Sequence, residues 1–169
     1  MINQTQWLAQ LPAFAGIAYL FAVAPRLAIV DLRERRLPNR LVLPGLPVAL
    51  LGQLVAVAIN PAMAQQLLNA LIAAVVAFGL SLIANMRFGL GMGDVKLFAL
   101  IALALGWFSP WLVAAVWAFA SLTGVVQIAV KAVAARTLRL SGTLALGPHL
   151  LAGFALSIGL AVWLWSRGG

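Results

Sequence analysis

Six long apolar runs, each close to the length of a bilayer-crossing helix, decide what this chain can fold into. They cover 11–30, 41–59, 67–84, 88–108, 112–134 and 144–165. A hydrocarbon core of about 30 Å takes roughly 20 helical residues at 1.5 Å each. The runs are continuously apolar and rich in Ala and Leu instead of alternating, which favours helices over a β-barrel. The expected fold is therefore all-α: a polytopic integral membrane protein with six transmembrane helices, forming one membrane-embedded domain over 1–169. Composition agrees, with 64% hydrophobic and 8% charged residues and a mean hydropathy of +1.09. A soluble domain carries about a quarter charged residues, so this chain lacks the polar groups to clothe a water-facing surface. The absence of Cys removes thiolate catalysis, disulfides and Cys-ligated metal sites.

The charges fall between the runs and differ by side. The first connection holds Arg33, Arg35, Arg36 and Arg40, the third Arg87 and Lys96, and the fifth Lys131, Arg136 and Arg139. The second, 60–66, and the fourth, around Ser109, Pro110 and Trp111, hold none. Cytoplasmic loops collect Lys and Arg, so the odd connections are expected in the cytoplasm of a cell inner membrane, with both termini outside. Arg167 is the exception on the outer side, and Arg26 snorkels from the first run. A net charge of +8 spread over loops in this way marks membrane topology and lipid contact; no nucleic-acid partner is expected. Trp107, Trp111, Trp163 and Trp165 are expected in the outer aromatic belt, and Ser121 and Gly124 at close helix contacts.

Negative charge is scarcer. The only acids are Asp31, Glu34 and Asp94. Asp31 and Asp94 are 63 residues apart, but two membrane crossings lie between them, so both reach the same face. If the fourth helix started only at Val95, its 14 residues to Phe108 would extend about 21 Å, too short to span. The Gly-rich stretch before it is thus expected to dip below the interface, lining a wet notch that reaches Asp94. Two carboxylates sharing a site do not easily both ionise, and the pair holds one proton over a useful pH range. One member then acts as a general base on water while the other, protonated, polarises a carbonyl. Gly89, Gly91 and Gly93 would let an extended peptide approach. The spacing also fits plainer roles: Asp94 as an N-cap of the fourth helix, Asp31 paired with Arg33 or Arg35, or either acid in a proton relay or ion site.

The motifs around the acids narrow this choice. Asp31-Leu32-Arg33-Glu34-Arg35-Arg36-Leu37-Pro38-Asn39 and Gly91-Met92-Gly93-Asp94-Val95-Lys96-Leu97 resemble the two signature segments of the type IV prepilin peptidases, the bacterial branch of the GxGD intramembrane aspartic proteases. Ala145-Leu146-Gly147-Pro148-His149-Leu150 is similar to the Gly-Pro segment that opens that family's last helix. The resemblance implies that Asp31 and Asp94 are the catalytic aspartates. It also implies cleavage of the short basic leader of prepilins or pseudopilins at the cytoplasmic surface. The larger, bifunctional members carry a Cys-containing insertion before the first aspartate, linked to N-methylation. With 30 residues before Asp31 and no Cys, N-methyltransferase activity is not expected, and the compact form resembles the peptidases of Flp/Tad-type pili.

Around this pair, Gly91 and Gly93 are read as backbone support, together with Pro38, Asn39 and Lys96. Pro38-Asn39 starts the second helix or breaks the loop, with Asn39 within reach of Asp31, while Lys96 anchors at the interface. Glu34 is the one acid free to meet a basic leader, and Gly147, Pro148 and His149 are possible substrate-side residues. One His with two carboxylates matches a catalytic zinc site poorly, and a packing role suits His149 at least as well, so no metal or cofactor is expected. Expected partners are the prepilin substrate and the lipid bilayer; the oligomeric state is not legible. Two other readings exist: a proton- or ion-coupled transporter, and a catalytically silent pilus assembly factor. A transporter would more typically show internal repeats and acids near the midplane, and neither is seen.

Overall fold

The computed structural model describes residues 8–34, 37–135 and 146–168. All regular structure in these residues is helical. The main helices are α1 (Ala15–Glu34), α2 (Gly45–Ile59), α3 (Ala64–Phe88), α4 (Met92–Gly106), α5 (Pro110–Ala135) and α6 (Gly147–Gly168). Short turns of helix, Leu11–Phe14, Asn39–Val42 and Pro61–Met63, precede α1, α2 and α3. Among the described residues five stretches are long and apolar enough to cross a bilayer: Leu8–Glu34, Asn39–Ile59, Pro61–Arg87, Pro110–Gln127 and Gly147–Arg167. Arg35, Arg36, Arg136, Arg139 and Ala145 lie outside the described residues.

The fourth run departs from expectation in a way that matters. Phe88 belongs to α3, which runs past the expected end at 84, and α4 begins only at Met92. The cause is Gly89, whose φ of 69° is left-handed backbone that ends α3 and turns the chain. The turn leaves carbonyls in need of donors. Gly89 N–H donates to Asn85 O, and the Asn85 side-chain amide donates to Leu90 O. Irregular backbone is thereby satisfied internally, as an apolar surrounding requires.

α4 has 15 residues, about 22 Å of helix. Apart from Lys96, its side chains are buried from Asp94 to Gly106, and it touches each of the other five main helices. Phe98, Leu100, Ile101 and Leu105 form the centre of the core. An apolar helix within lipid gains nothing from hiding apolar surface, so close backbone approach must hold this arrangement. A Cβ on Gly106 would lie 2.7 Å from Ala73 Cβ, and one on Gly16 would lie 2.6 Å from Ala49 Cβ; these small residues set the α3–α4 and α1–α2 contacts. Gln53 adds a polar tie at the bundle centre, donating from Nε2 to Leu103 O at 2.7 Å.

Two expectations are corrected here. Trp107 is 2% exposed because it follows α4 directly and shares that helix's burial, so it is core and not belt. Trp111 (83%) and Trp165 (72%) are exposed, and the Arg167 guanidinium lies 4.4 Å over the Trp163 ring. Ser121 is exposed and lines the cavity beside Asp94 instead of a tight helix contact; Gly153 makes a close contact between α5 and α6, against Val116 O and Ala120.

The α1–α2 contact gives a direct test. Gly16→Leu is expected to destabilise the protein by about 1–3 kcal/mol through overpacking. Ala18→Leu, on an exposed position of the same helix, should leave the thermal midpoint in detergent unchanged. Equal midpoints for the two variants would refute this packing.

Candidate functional site

The site is assembled at one end of the bundle, where α1 ends and α4 and α6 begin. Asp31 lies three residues before the end of α1 and is 4% exposed. Its Oδ2 accepts a hydrogen bond from the Gly147 backbone N–H at 3.2 Å, so it supplies the anion that the first turn of α6 lacks. Pro148 follows at a position where its missing N–H costs nothing. A Cβ on Gly147 would lie 2.7 Å from Asp31 Oδ2, so only glycine lets the helix start this close to the carboxylate.

Asp94 occupies the first turn of α4 and is 9% exposed. It is not the N-cap. That position belongs to Gly91, in extended conformation, and Asp94 lies three residues further on. Its carboxylate reaches back to the Gly91 backbone N–H, the half of a capping box that the third helical residue supplies, while its own N–H donates to the Gly91 backbone O at 3.0 Å. Oδ2 is the oxygen beside Gly91, where a Cβ would lie 2.9 Å away. Oδ1 is buried and has no hydrogen-bond partner among the described residues. A buried carboxylate oxygen left unmatched is costly and calls for an explanation in function.

That explanation begins with a cavity of about 340 Å³ beside Asp94, lined among others by Ser81, Gly91, Phe98, Trp117 and Leu150. Gly89 and Gly91 form part of its wall, so two of the three glycines do face the space next to the acid. The third does not. Gly93 is covered by Leu37, since a Cβ on Gly93 would lie 2.7 Å from Leu37 Cβ. Leu37 also approaches Gly147, with Cδ1 3.3 Å from the Cβ position there. This one side chain therefore wedges between the glycines that begin α4 and α6, and holds the two aspartates' helices in register. Asp31 is close enough for its charge to act on Asp94 through space.

The remaining candidates are placed around this pair. Lys96 Nζ donates to Asn39 Oδ1 at 3.1 Å, so Asn39 is tied to α4 and ties the Pro38–Asn39 turn to it. His149 turns toward α5, with Nδ1 3.0 Å from Thr123 Oγ1 and Nε2 2.9 Å from Gln127 Oε1. Glu34 is exposed at the end of α1. Sequence reasoning gave no role to Leu37, Asn85, Phe98 or Trp117. Leu37 had a signal, since Gly93 and Gly147 each invite a close neighbour, but which residue comes close depends on the tertiary fold.

Taken together, the helices and the paired acids define a multi-pass helical membrane protein in which, among the described residues, a buried and unmatched carboxylate oxygen belongs to an acid that lines a cavity. The chain belongs to the type IV leader peptidase family, whose family model matches residues 15–163. This makes it a protease of the prepilin peptidase kind, with prepilins as its class of substrate. No curated protein and no solved structure matches the chain.

The glycine at the head of α6 offers a contrast within one helix. Gly147→Ala forces Asp31 away from its N–H donor and is expected to lower cleavage of a co-expressed prepilin at least about tenfold. Gly159→Ala, where the added Cβ meets nothing within 4 Å, should keep wild-type cleavage on the same gel-shift assay. Equal cleavage by both would show that the Asp31–Gly147 approach is dispensable.

Proposed function

We propose that this protein is an intramembrane aspartic endopeptidase that removes the short basic leader of type IV prepilins or pseudopilins, of the Flp/Tad kind, at the cytoplasmic face of the inner membrane. Asp31 and Asp94 are the acid pair. The observation that carries the proposal is the bare Oδ1 of Asp94 beside the cavity, with Asp31 as its electrostatic neighbour, in a chain of the leader peptidase family.

In this reading the pair shares one proton. The ionised member takes a proton from water, which adds to the carbonyl carbon of the scissile peptide. The protonated member donates to the carbonyl oxygen. Collapse of the tetrahedral intermediate breaks the C–N bond, and the proton first taken from water goes to the leaving amine. The Gly147 N–H orients Asp31 and the Gly91 N–H orients Asp94, so both acids are held before substrate arrives. Gly89 and Gly91 leave room for an extended peptide along the cavity wall.

Placement at the cytoplasmic side rests on charge. Arg33, Arg40, Arg87 and Lys96 stand at the end of the bundle that holds the acids, while the connections at the other end carry no Lys or Arg. With α4 counted as a sixth, shielded crossing, both termini fall outside. A substrate with its apolar stem in the bilayer then presents its basic leader on the side of the acids.

Two experiments bear on this. Asp31→Asn and Asp94→Asn are each expected to leave an inserted, helical protein whose processing of a co-expressed prepilin falls by about 100-fold or more; near-wild-type processing by either variant would overturn the pair. Because the chain has no Cys, Met92→Cys makes a single reporter on the exposed start of α4. It should react with an impermeant maleimide in inverted vesicles and stay unlabelled in spheroplasts. The reverse pattern would place the site on the outer face.

A further inference from the structure

A second cavity lies against the first. It has a volume of about 690 Å³ and runs between α3 and α5, which meet only slightly because α4 sits behind them. Its walls are Ile72 and Val76 of α3 and Val113 and Ala114 of α5. Its floor includes Ala77 and Phe98, both buried. Phe98 and Trp117 line both cavities and stand in edge-to-face contact, ring centroids 5.3 Å apart. The groove thus adjoins the cavity beside Asp94, and this aromatic pair is the partition between them.

We propose that this groove is the seat of the substrate's own apolar helix, which enters sideways from the bilayer between α3 and α5 with the bond to be cut beyond the Phe98–Trp117 partition, at Asp94. The inference rests on the leader peptidase reading and adds where the substrate docks. Three features select an apolar polypeptide helix. Asn69 to Leu80, the stretch of α3 along the groove, extends about 16 Å, or three helical turns. Ala73, Ala77 and Ala114 are small enough for a helix backbone to approach closely, the usual basis of helix association in lipid. No charged side chain lines it, and the Phe98–Trp117 pair in its wall backs onto the cavity that Asp94 lines. An acyl chain would fill the same space but has no reason to be led to a carboxylate.

The absence of Cys allows single-site cross-linking. Val76→Cys, Ala114→Cys and, outside the groove on an exposed position of α6, Val162→Cys are each made in an Asp94→Asn background, so that a bound precursor stays whole. They are oxidised with copper phenanthroline beside a prepilin carrying one Cys in its apolar helix. Disulfide adducts with the precursor are expected from Val76→Cys and Ala114→Cys and not from Val162→Cys. No adduct from the groove positions, equal adducts from all three, or adducts only between two copies of this chain would each overturn the proposal. In the otherwise wild-type chain Val76→Trp is expected to raise KM for the precursor about tenfold with kcat retained; an unchanged KM, as for a groove filled by lipid, would also overturn it. Wild-type processing of the same precursor separates the two readings. Processing without a groove adduct removes the groove alone, whereas no processing removes the leader peptidase reading and the groove with it.

Discussion

The arrangement depends on a helix too short to cross a bilayer being enclosed by five others. α4 has an apolar surface nearly all round and, apart from Lys96, is buried from Asp94 to its end. It is shorter than α1, α3, α5 and α6, and because protein encloses it from Asp94 onward the polar groups of that first turn must be met by protein or by a wet cavity. Asp94 lies at this point. The depth of the acid, the pocket beside it and the Gly89–Gly91 linker that leads to it all follow from how much of the span α4 gives up.

A second dependence runs across the chain. Asp31 and Gly147 are 116 residues apart, yet the N–H of one is met by the carboxylate of the other. A hydrogen bond to a charged group contributes about 1.5–3 kcal/mol, and here it also fixes where α6 starts. Leu37 sets the distance between that start and the start of α4. The same acids that would do the chemistry therefore terminate helices, and the plain capping role and the catalytic role are not rivals. A group held by a backbone N–H is already oriented before any substrate meets it.

The helical, membrane-embedded character was legible because apolar runs of bilayer length have few other outcomes, and the family was legible because two spaced motifs had to occur together. The shortness of α4 was visible as a conditional, in the count from Val95 to Phe108. Its observed start at Met92 depended on Gly89 adopting a left-handed conformation, a choice that three neighbouring glycines leave open. Trp107 was misplaced because residue type favours the interface, whereas its position at the end of the most buried helix decides otherwise. The Asn39 side chain was expected near Asp31 and is engaged by Lys96, a partner 57 residues away that no local pattern specifies. Leu37 shows the general limit: a glycine announces that something comes close without naming it.

The turn at Gly89 has one more consequence. α3, 25 residues long and about 37 Å, exceeds a hydrocarbon core of about 30 Å, and tilting is one way such a helix fits it. Only three residues, pinned by the Asn85 side chain, separate its end from the start of α4. With so little slack, the end of α3 and the first turn of α4 are geared together, so whatever sets the inclination of α3 also bears on where Asp94 sits.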